Sequence, residues 1–233
     1  MKTIVRNKFI VIGGGIILVM LLLVLLAPLL TPYDYSSVDM PNKQLAPSAQ
    51  HIMGTDAYGR DVWTRIVYGG RISLTVAVGA AAVALVCGTL LGTLSGYVRG
   101  TLDFVLDRIN DVLMAFPMLL LALIIGVALG PSLKTMFFAI GVPCIPMFYR
   151  IARATTMSIS ERSYVLAARS MGGGRLRIIF RHVLPNVLPH ILVILSSAIG
   201  GAILAESSLG FLGFGIPQPT PSWGLIVNDG KTY

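Results

Sequence analysis

Long uncharged stretches alternate with short charged segments along the chain. Five of these stretches are apolar enough to cross a membrane, and they lie within residues 9–30, 72–98, 112–133, 135–149 and 187–205. A bilayer core about 30 Å thick requires about 20 apolar residues of helix, so each stretch predicts a transmembrane span. The pattern therefore predicts an all-α, polytopic transmembrane helical bundle with five spans.

The predicted spans differ in the features that govern helix packing. The second is rich in Gly and Ala, and small residues let neighbouring helices approach closely. The third has Pro117 near its start, and the fourth contains Pro143 and Pro146, which we expect to kink it. We expect the second span to contact other helices more than lipid.

The composition excludes several classes of protein. Only 12% of the residues are charged, against about 25% in a typical soluble domain, and 55% are hydrophobic. These values exclude an ordinary soluble globule and a disordered chain. The two cysteines, Cys87 and Cys144, lie in separate apolar stretches and predict neither a disulfide framework nor a thiolate metal site.

The basic residues predict how the chain is oriented. If the N-terminus is cytoplasmic, twelve of the 18 Lys and Arg residues lie in the cytoplasmic segments 1–8, 98–111 and 150–186. The positive-inside rule favours this orientation, with residues 31–70 and 207–233 outside and 9–233 forming a single membrane domain. The net charge of +8 then reflects membrane orientation and requires no nucleic-acid partner.

The longest cytoplasmic segment, residues 150–186, predicts two short amphipathic helices. Ser158 and Glu161 fit a capping box, which marks a helix start. We expect the following glycine triplet to form a hinge and Pro185 to end the second helix. Apolar side chains recur at helical spacing on both sides of the hinge, at Tyr164, Ala167, Ala168 and Met171, and again at Leu176, Ile179, Phe180 and Val183.

The apolar faces of these two helices need a surface to cover them, because helices of this length cannot span a bilayer. One candidate surface is a groove on a partner protein. The other is this chain's own helix ends together with the lipid interface. The spacing alone is compatible with both.

Three separated motifs resemble a known transporter family. Residues 164–172, followed by 181–186, resemble the Ala-Ala, Gly, Leu-Pro loop of ABC importer permease subunits. Residues 54–61, continuing to 70–74, look like the branch of that family serving dipeptides, oligopeptides and nickel, and residues 208–215 with 221–224 are similar to its segment after the fifth span. The resemblance covers the whole chain. One position departs from it, because the acidic residue that opens the family's loop pattern is Leu166 here.

The resemblance implies a function and a set of partners. It implies an inner-membrane permease subunit that forms half of a translocation path for peptides together with a second homologous permease subunit. Two cytoplasmic ATP-binding subunits and an extracytoplasmic substrate-binding protein would complete the importer. Nickel or a nickel chelate is the alternative cargo, and a self-sufficient channel is a further alternative. The family also has a sixth span after residues 221–224, so we expect this chain to be incomplete.

By the same resemblance, residues 150–186 couple the permease to its ATPase by seating in a groove on that subunit. The residues assigned to this coupling loop are Tyr164, Ala167, Ala168, Met171, Gly172, Gly173, Gly174, Leu176, Ile179, Phe180, Leu184 and Pro185. The external motif comprises Gly54, Thr55, Asp56, Gly59, Arg60 and Asp61. It either packs over the outer mouth of the path or is only a turn-rich solvated loop.

Few residues outside these motifs carry chemistry. Glu206 ends an apolar helix and is a candidate for the translocation path, unless it is solvated at the outer interface. His51, His182 and His190 have no ligand partner at metal-binding spacing. The sequence contains no Gly-Lys-Ser/Thr phosphate loop and no paired catalytic carboxylates in the spans. We therefore expect no ATP binding by this chain, no metal, no cofactor and no enzymatic activity.

Overall fold

The computed structural model describes residues 8–231, and its regular secondary structure is helical. The helices are, in chain order, α1 Lys8–Leu25, α2 Ala27–Leu30, α3 Val62–Val98, α4 Gly100–Ala115, α5 Met118–Leu129, α6 Leu133–Ser160, α7 Ser163–Ser170, α8 Arg175–Ile178, α9 Leu184–Phe211 and α10 Trp223–Gly230. A 3₁₀ turn covers Met40–Asn42 and a π-helical turn covers Ile179–Val183. The predicted all-α fold is confirmed, whereas all but the last residue of the predicted cytoplasmic N-terminus, 1–8, lies outside the described residues.

The chain divides into two compact units. The first comprises the residues up to Leu74 and those from Gly210 on, and it contains α1, α2, the beginning of α3 and α10. The second runs from Thr75 to Leu209 and contains the rest of α3 and the helices from α4 to most of α9.

Three helical runs are long and apolar enough to cross a membrane: Val62–Val98, Leu133–Ser160 and Arg175–Phe211. The pair Gly100–Ala115 and Met118–Leu129 is a fourth candidate if the two helices, bent by 96°, count as one span. The apolar helix Val11–Leu25, at the first predicted span, is shorter. These three to four candidates among residues 8–231 confirm a polytopic membrane protein, although five regular spans were expected.

The third predicted span is broken where Pro117 enters it. α4 ends at Ala115, Phe116 is extended with φ −94° and ψ 136°, and α5 begins at Met118. Proline lacks an N–H and disfavours helical backbone in the residue before it, so one continuous helix cannot form here. α5 is 12 residues long, or about 18 Å, which is less than the bilayer core. The prediction of one span over residues 112–133 was therefore wrong in form.

The fourth predicted span is a longer helix than the charge pattern indicated. α6 has 28 residues and continues through Pro143 and Pro146. It also continues past Arg150, which limits the predicted span, and past Arg153. Both arginines have carboxylate partners on α4, since Arg150 lies 3.8 Å from Asp111 and Arg153 lies 2.6 Å from Asp103. A charged residue that is paired within a bundle need not end its helix.

Glycines bring α3 and α6 together within the second unit. Gly88, Gly92 and Gly96 recur every fourth residue on α3. A Cβ at these positions would lie 2.7, 2.3 and 2.6 Å from the carbonyl oxygens of Ile145, Tyr149 and Arg153, respectively. Only a hydrogen side chain fits at such distances. The expected close approach of the second span to a neighbouring helix is confirmed.

The core of the second unit reaches beyond the spans into the loop segment, residues 161–183. Phe148 and Ala152 of α6 belong to the same buried cluster as Val165 and Ala168 of α7. The cluster continues through residues that lie after the glycine triplet, Ile178, Ile179, Val183, Val187 and Ile191. The loop segment is thus fixed to the helix ends by its own apolar side chains.

Candidate functional site

The loop segment starts later than the capping box predicted. α6 continues to Ser160, Glu161 is its C-terminal cap residue, and α7 begins at Ser163 after Arg162. The Ser160 hydroxyl donates to the Thr156 carbonyl at 2.7 Å, and the Glu161 carboxylate accepts from Arg99 at 2.8 Å. Glu161 is therefore engaged by the end of α3 rather than by a helix N-terminus. The predicted helix start at Ser158 was wrong.

The glycine triplet ends α7 as predicted. Gly172 has φ +79°, a conformation that L side chains rarely adopt. Gly173 has an ordinary backbone but little space, because a Cβ there would lie 2.7 Å from the Ala168 carbonyl oxygen. A Cβ on Gly174 would meet nothing within 4 Å, and this residue precedes the first turn of α8. The hinge therefore uses one glycine for its dihedral angle and another for space.

The second helix does not end at Pro185. The Leu184 N–H donates to the Ile179 carbonyl, five residues back, and α9 then continues to Phe211 with Pro185 in its first turn. Pro185 follows a π-helical turn, so its missing N–H falls at the junction of two kinds of helix rather than inside a regular α-helix. The predicted end at Pro185 was wrong, and the second half of the loop segment is continuous with a candidate span.

The two faces of the loop segment have different surroundings. Val165, Ala168, Ile178, Ile179 and Val183 are buried in this chain's core. The opposite face, which we call the exposed stripe, consists of Tyr164, Ala167, Met171, Leu176 and Phe180. Met171 is 82% exposed, Leu176 67% and Phe180 56%.

Two residues assigned to the docking face from the sequence lie on the buried face. Ala168 and Ile179 pack inside this chain, so no partner can reach their side chains. Leu184 is half-buried and Pro185 is exposed. Ala167 and Ala168 are adjacent, and either one fits the helical repeat of the other apolar residues. The spacing therefore does not show which of the two faces the core.

Polar contacts hold the loop segment against the ends of α3 and α6. The Arg169 guanidinium lies 5.6 Å from the centre of the Tyr97 ring, within range of a cation–π contact. Arg99, Glu161 and Arg169 line a cavity of about 220 Å³ between these elements. Further into the unit, Arg153 donates two hydrogen bonds to Asp103, at 2.6 and 2.8 Å.

These supporting residues were not identified from the sequence. Arg153 and Asp103 are separated by 50 residues, and Arg99 and Glu161 by 62. No local spacing relates residues so far apart. The one signal in the sequence that pointed to these ion pairs was the presence of acidic residues in segments whose other charged residues are mostly basic.

The external motif is folded rather than solvated. Thr55, Arg60 and Asp61 are buried, and Thr55 and Asp61 form an isolated β-bridge. Gly54 has φ +72° and Gly59 has φ +74°, and a Cβ on either would overlap a backbone carbonyl oxygen, that of Leu45 or Asp39. The interpretation as a loosely solvated loop does not hold for this chain.

An ion-pair network of Asp56, Arg60, Arg65 and Asp229 lies in the first unit. Arg60 lies 2.7 Å from Asp56 and 3.2 Å from Asp229, and Arg65 lies 3.4 Å from Asp229. Both guanidinium side chains are only 2% exposed. Two arginines buried to this extent require carboxylate partners, which the two aspartates supply.

Asp61 has a structural role that is separate from the ion-pair network. Its carboxylate accepts from the Thr64 N–H at 2.7 Å and from the Thr64 hydroxyl at 2.8 Å, which caps the start of α3. It also lies 3.0 Å from Nδ1 of His51. The motif residues Gly54, Asp56, Gly59, Arg60 and Asp61 thus all have structural functions, and sequence reasoning missed their partners Arg65, His51 and Asp229.

Glu206 lies on α9, in the part of that helix assigned to the second unit, and its side chain is fully buried. Ala198, Ala202, Ala205 and Leu209, which flank it along the helix, are buried as well. The alternative of a solvated carboxylate is therefore not compatible with the structure. Within residues 8–231, no group of three or more His, Cys, Asp or Glu side chains is arranged to hold a metal ion.

Comparison with known proteins gives extensive matches. Residues 88–232 match the family described as binding-protein-dependent transport system inner membrane component, and residues 1–47 match the N-terminal TM domain of oligopeptide transport permease C. A dipeptide transport system permease protein of Alkalihalophilus pseudofirmus is 41% identical over 232 residues, covering 100% of this chain and 76% of the relative.

Two further relatives are similar over almost the same length. A probable D,D-dipeptide transport system permease protein of Escherichia coli is 38% identical, covering 96% of this chain and 75% of the relative. A glutathione transport system permease protein of Salmonella typhimurium is 37% identical, covering 97% and 75%. Together with the apolar helices, these matches show a multi-pass inner-membrane protein. The chain belongs to the family of binding-protein-dependent transport system inner membrane components.

Proposed function

We propose that this chain is a transmembrane permease subunit of an ABC importer for peptides. Family membership supports a transport role, and the similar proteins are named as dipeptide and glutathione permeases. The chain lacks a Gly-Lys-Ser/Thr phosphate loop, so hydrolysis of ATP belongs to separate subunits. In this proposal it is not an enzyme.

One observation carries the coupling function. The loop segment is fixed to the bundle by its buried face and presents the exposed stripe on the other side. An apolar helical face with no covering within the described residues is suited to a groove on a partner. The groove in this proposal belongs to a cytoplasmic ATP-binding subunit.

The continuity of the loop segment with α9 explains how force reaches the spans. Residues Arg175–Phe211 form one helical run, so a displacement of Leu176 or Phe180 moves the start of a candidate span. Closure of the ATPases would favour one of two packings of the bundle and so alternate access to the path. The path itself is shared with a second permease subunit and supplied by an extracytoplasmic binding protein.

The test is transport by the assembled importer in proteoliposomes. We expect uptake of a labelled dipeptide that requires ATP, both permease subunits, the ATPases and the binding protein. Uptake by this chain alone would show a channel, and uptake of radioactive nickel that the dipeptide does not compete with would show a nickel importer.

Two apolar truncations separate docking from general damage. Met171→Ala with Phe180→Ala removes exposed parts of the stripe and should abolish retention of the ATPases and uptake together. Val193→Ala removes similar volume from an exposed position on α9, 73% exposed, and should leave both unchanged. Normal retention in the stripe variant would contradict the proposed coupling function.

A further inference from the structure

We propose that the loop segment docks on an apolar groove whose rim is acidic. This inference rests on the proposed function and specifies the chemistry of the ATPase surface. It is carried by three exposed arginines, which we call the arginine rim: Arg175, Arg177 and Arg181.

The arginine rim has no carboxylate partner among residues 8–231. Three acidic residues in the second unit are paired with other arginines: Glu161 with Arg99, Asp103 with Arg153, and Asp111 with Arg108 and Arg150. Arginine remains charged at any physiological pH, so three positive charges stand within seven residues of chain.

The rim borders the second half of the exposed stripe, Leu176 and Phe180, on both sides. Adjacent residues of a helix point about 100° apart, so Arg175 and Arg177 lie on opposite sides of Leu176. Arg181 follows Phe180 in the same way and lies on the side of Arg177. The apolar contact surface is thus bordered by guanidinium groups.

A neutral groove would not suit such a surface. Seating the stripe would bring the bordering guanidiniums out of water, and a cation moved into a less polar site without an acceptor is costly. Carboxylates on the rim of the groove would supply bidentate acceptors and would accelerate association. The required partner is therefore a protein groove with an apolar floor and acidic edges.

A protein fits the observations better than an anionic lipid surface. Helices that lie on a membrane need a continuous apolar face, and here α7 has only eight residues before the hinge turns the chain. The buried face also fixes the segment before it docks, which lowers the ordering cost of binding a shaped groove. A fluid lipid surface does not require such pre-organisation.

The test measures affinity of the purified ATPase subunits for the permease pair in nanodiscs at 50 mM and 500 mM salt. Arg175→Glu, Arg177→Glu and Arg181→Glu are combined in the full chain. We expect a loss of affinity of roughly tenfold or more at low salt and a much smaller loss at high salt, because exposed charges are screened over about 10 Å at 0.1 M and less at higher salt.

A matched variant reverses three exposed cations elsewhere, with Lys43→Glu, Lys134→Glu and Lys231→Glu. It changes the net charge equally and should leave affinity unchanged. Phe180→Ala serves as the probe of docking itself and should weaken binding to a similar extent at both salt concentrations.

The outcomes distinguish this inference from the function on which it rests. Wild-type affinity of the arginine variant at both salts, with loss in Phe180→Ala, would overturn the acidic rim and leave docking intact. Wild-type affinity of both variants would overturn docking as well. An effect that appears only in discs with anionic phospholipid, and not in phosphatidylcholine discs, would show that the arginines bind lipid and would also overturn the inference.

Discussion

At the residue scale, the backbone carbonyl oxygens of α6 limit which side chains α3 can carry. Gly92 faces the Tyr149 carbonyl, and the space between them is smaller than one methyl group. Gly200 on α9 offers the opposite case, since a Cβ there would meet nothing within 4 Å. The same residue type therefore has different importance at the two positions.

We expect Gly92→Ala to destabilise the second unit by about 1–3 kcal/mol, because the α3 and α6 backbones must separate. Unfolding by denaturant in mixed micelles measures the change. Gly200→Ala is the matched control, and it should be neutral or stabilise by up to about 1 kcal/mol through helix propensity. Equal stabilities of the two variants would contradict the close helix contact.

A second residue-scale prediction concerns the hinge. Gly172→Val should strain the loop segment by about 1–2 kcal/mol, because its φ of +79° is unfavourable for a branched side chain. Gly174→Ala should have little effect, since Gly174 has φ −62° and open surroundings. Coupled ATP hydrolysis by the assembled importer is the measurement. Normal coupling in Gly172→Val would show that the hinge tolerates other backbone conformations.

At the element scale, the sequence predicted the existence of helices better than their ends. The apolar stretches and the glycine triplet were interpreted correctly because both signals are local. The capping box at Ser158 failed because Glu161 pairs with Arg99, which is distant in sequence. The single span through Pro117 failed because proline restricts the backbone of the residue before it, and this breaks the helix however apolar the stretch is.

Sequence spacing likewise does not show which face of the loop segment is buried. The loop segment has apolar residues on two faces, and only packing against α3 and α6 selects the buried one. The π-helical turn adds a residue to one turn, so that Val183 joins Ile178 and Ile179 in the core. No pattern in the local sequence predicts that turn.

Neighbouring alanines provide the element-scale prediction. Ala168→Trp should destabilise the permease itself by about 1–3 kcal/mol, because Ala168 is buried in this chain's core. Ala167→Trp should leave the stability unchanged and weaken retention of the ATPases, because Ala167 lies on the exposed stripe. Thermal unfolding and co-purification measure the two effects. Reversal of the two phenotypes would show that the assigned faces are exchanged.

At the scale of the whole molecule, the orientation in the membrane stays a prediction from the distribution of charge. Ser48 and Ser163 are exposed and lie in segments predicted to be on opposite sides. Cys87 is exposed on a candidate span, so the test uses Cys87→Ser and Cys144→Ser as a background without native thiols.

In that background, an impermeant thiol reagent should label Ser48→Cys in intact cells. It should label Ser163→Cys only after the membrane is permeabilised. Labelling is followed by a shift in electrophoretic mobility. Reaction of Ser163→Cys from outside intact cells would place the loop segment on the wrong side for an ATPase and would contradict the topology.

The ion-pair network of the first unit has a consequence for biosynthesis. Arg60 and Asp229 are separated by 169 residues. At about 5–20 residues per second, the ribosome delivers Asp229 roughly ten to thirty seconds after Arg60. Throughout that interval the side chains of Arg60 and Arg65, which are buried in the folded chain, lack the Asp229 carboxylate. The first unit can therefore complete this network only after the whole second unit, Thr75–Leu209, has been synthesised.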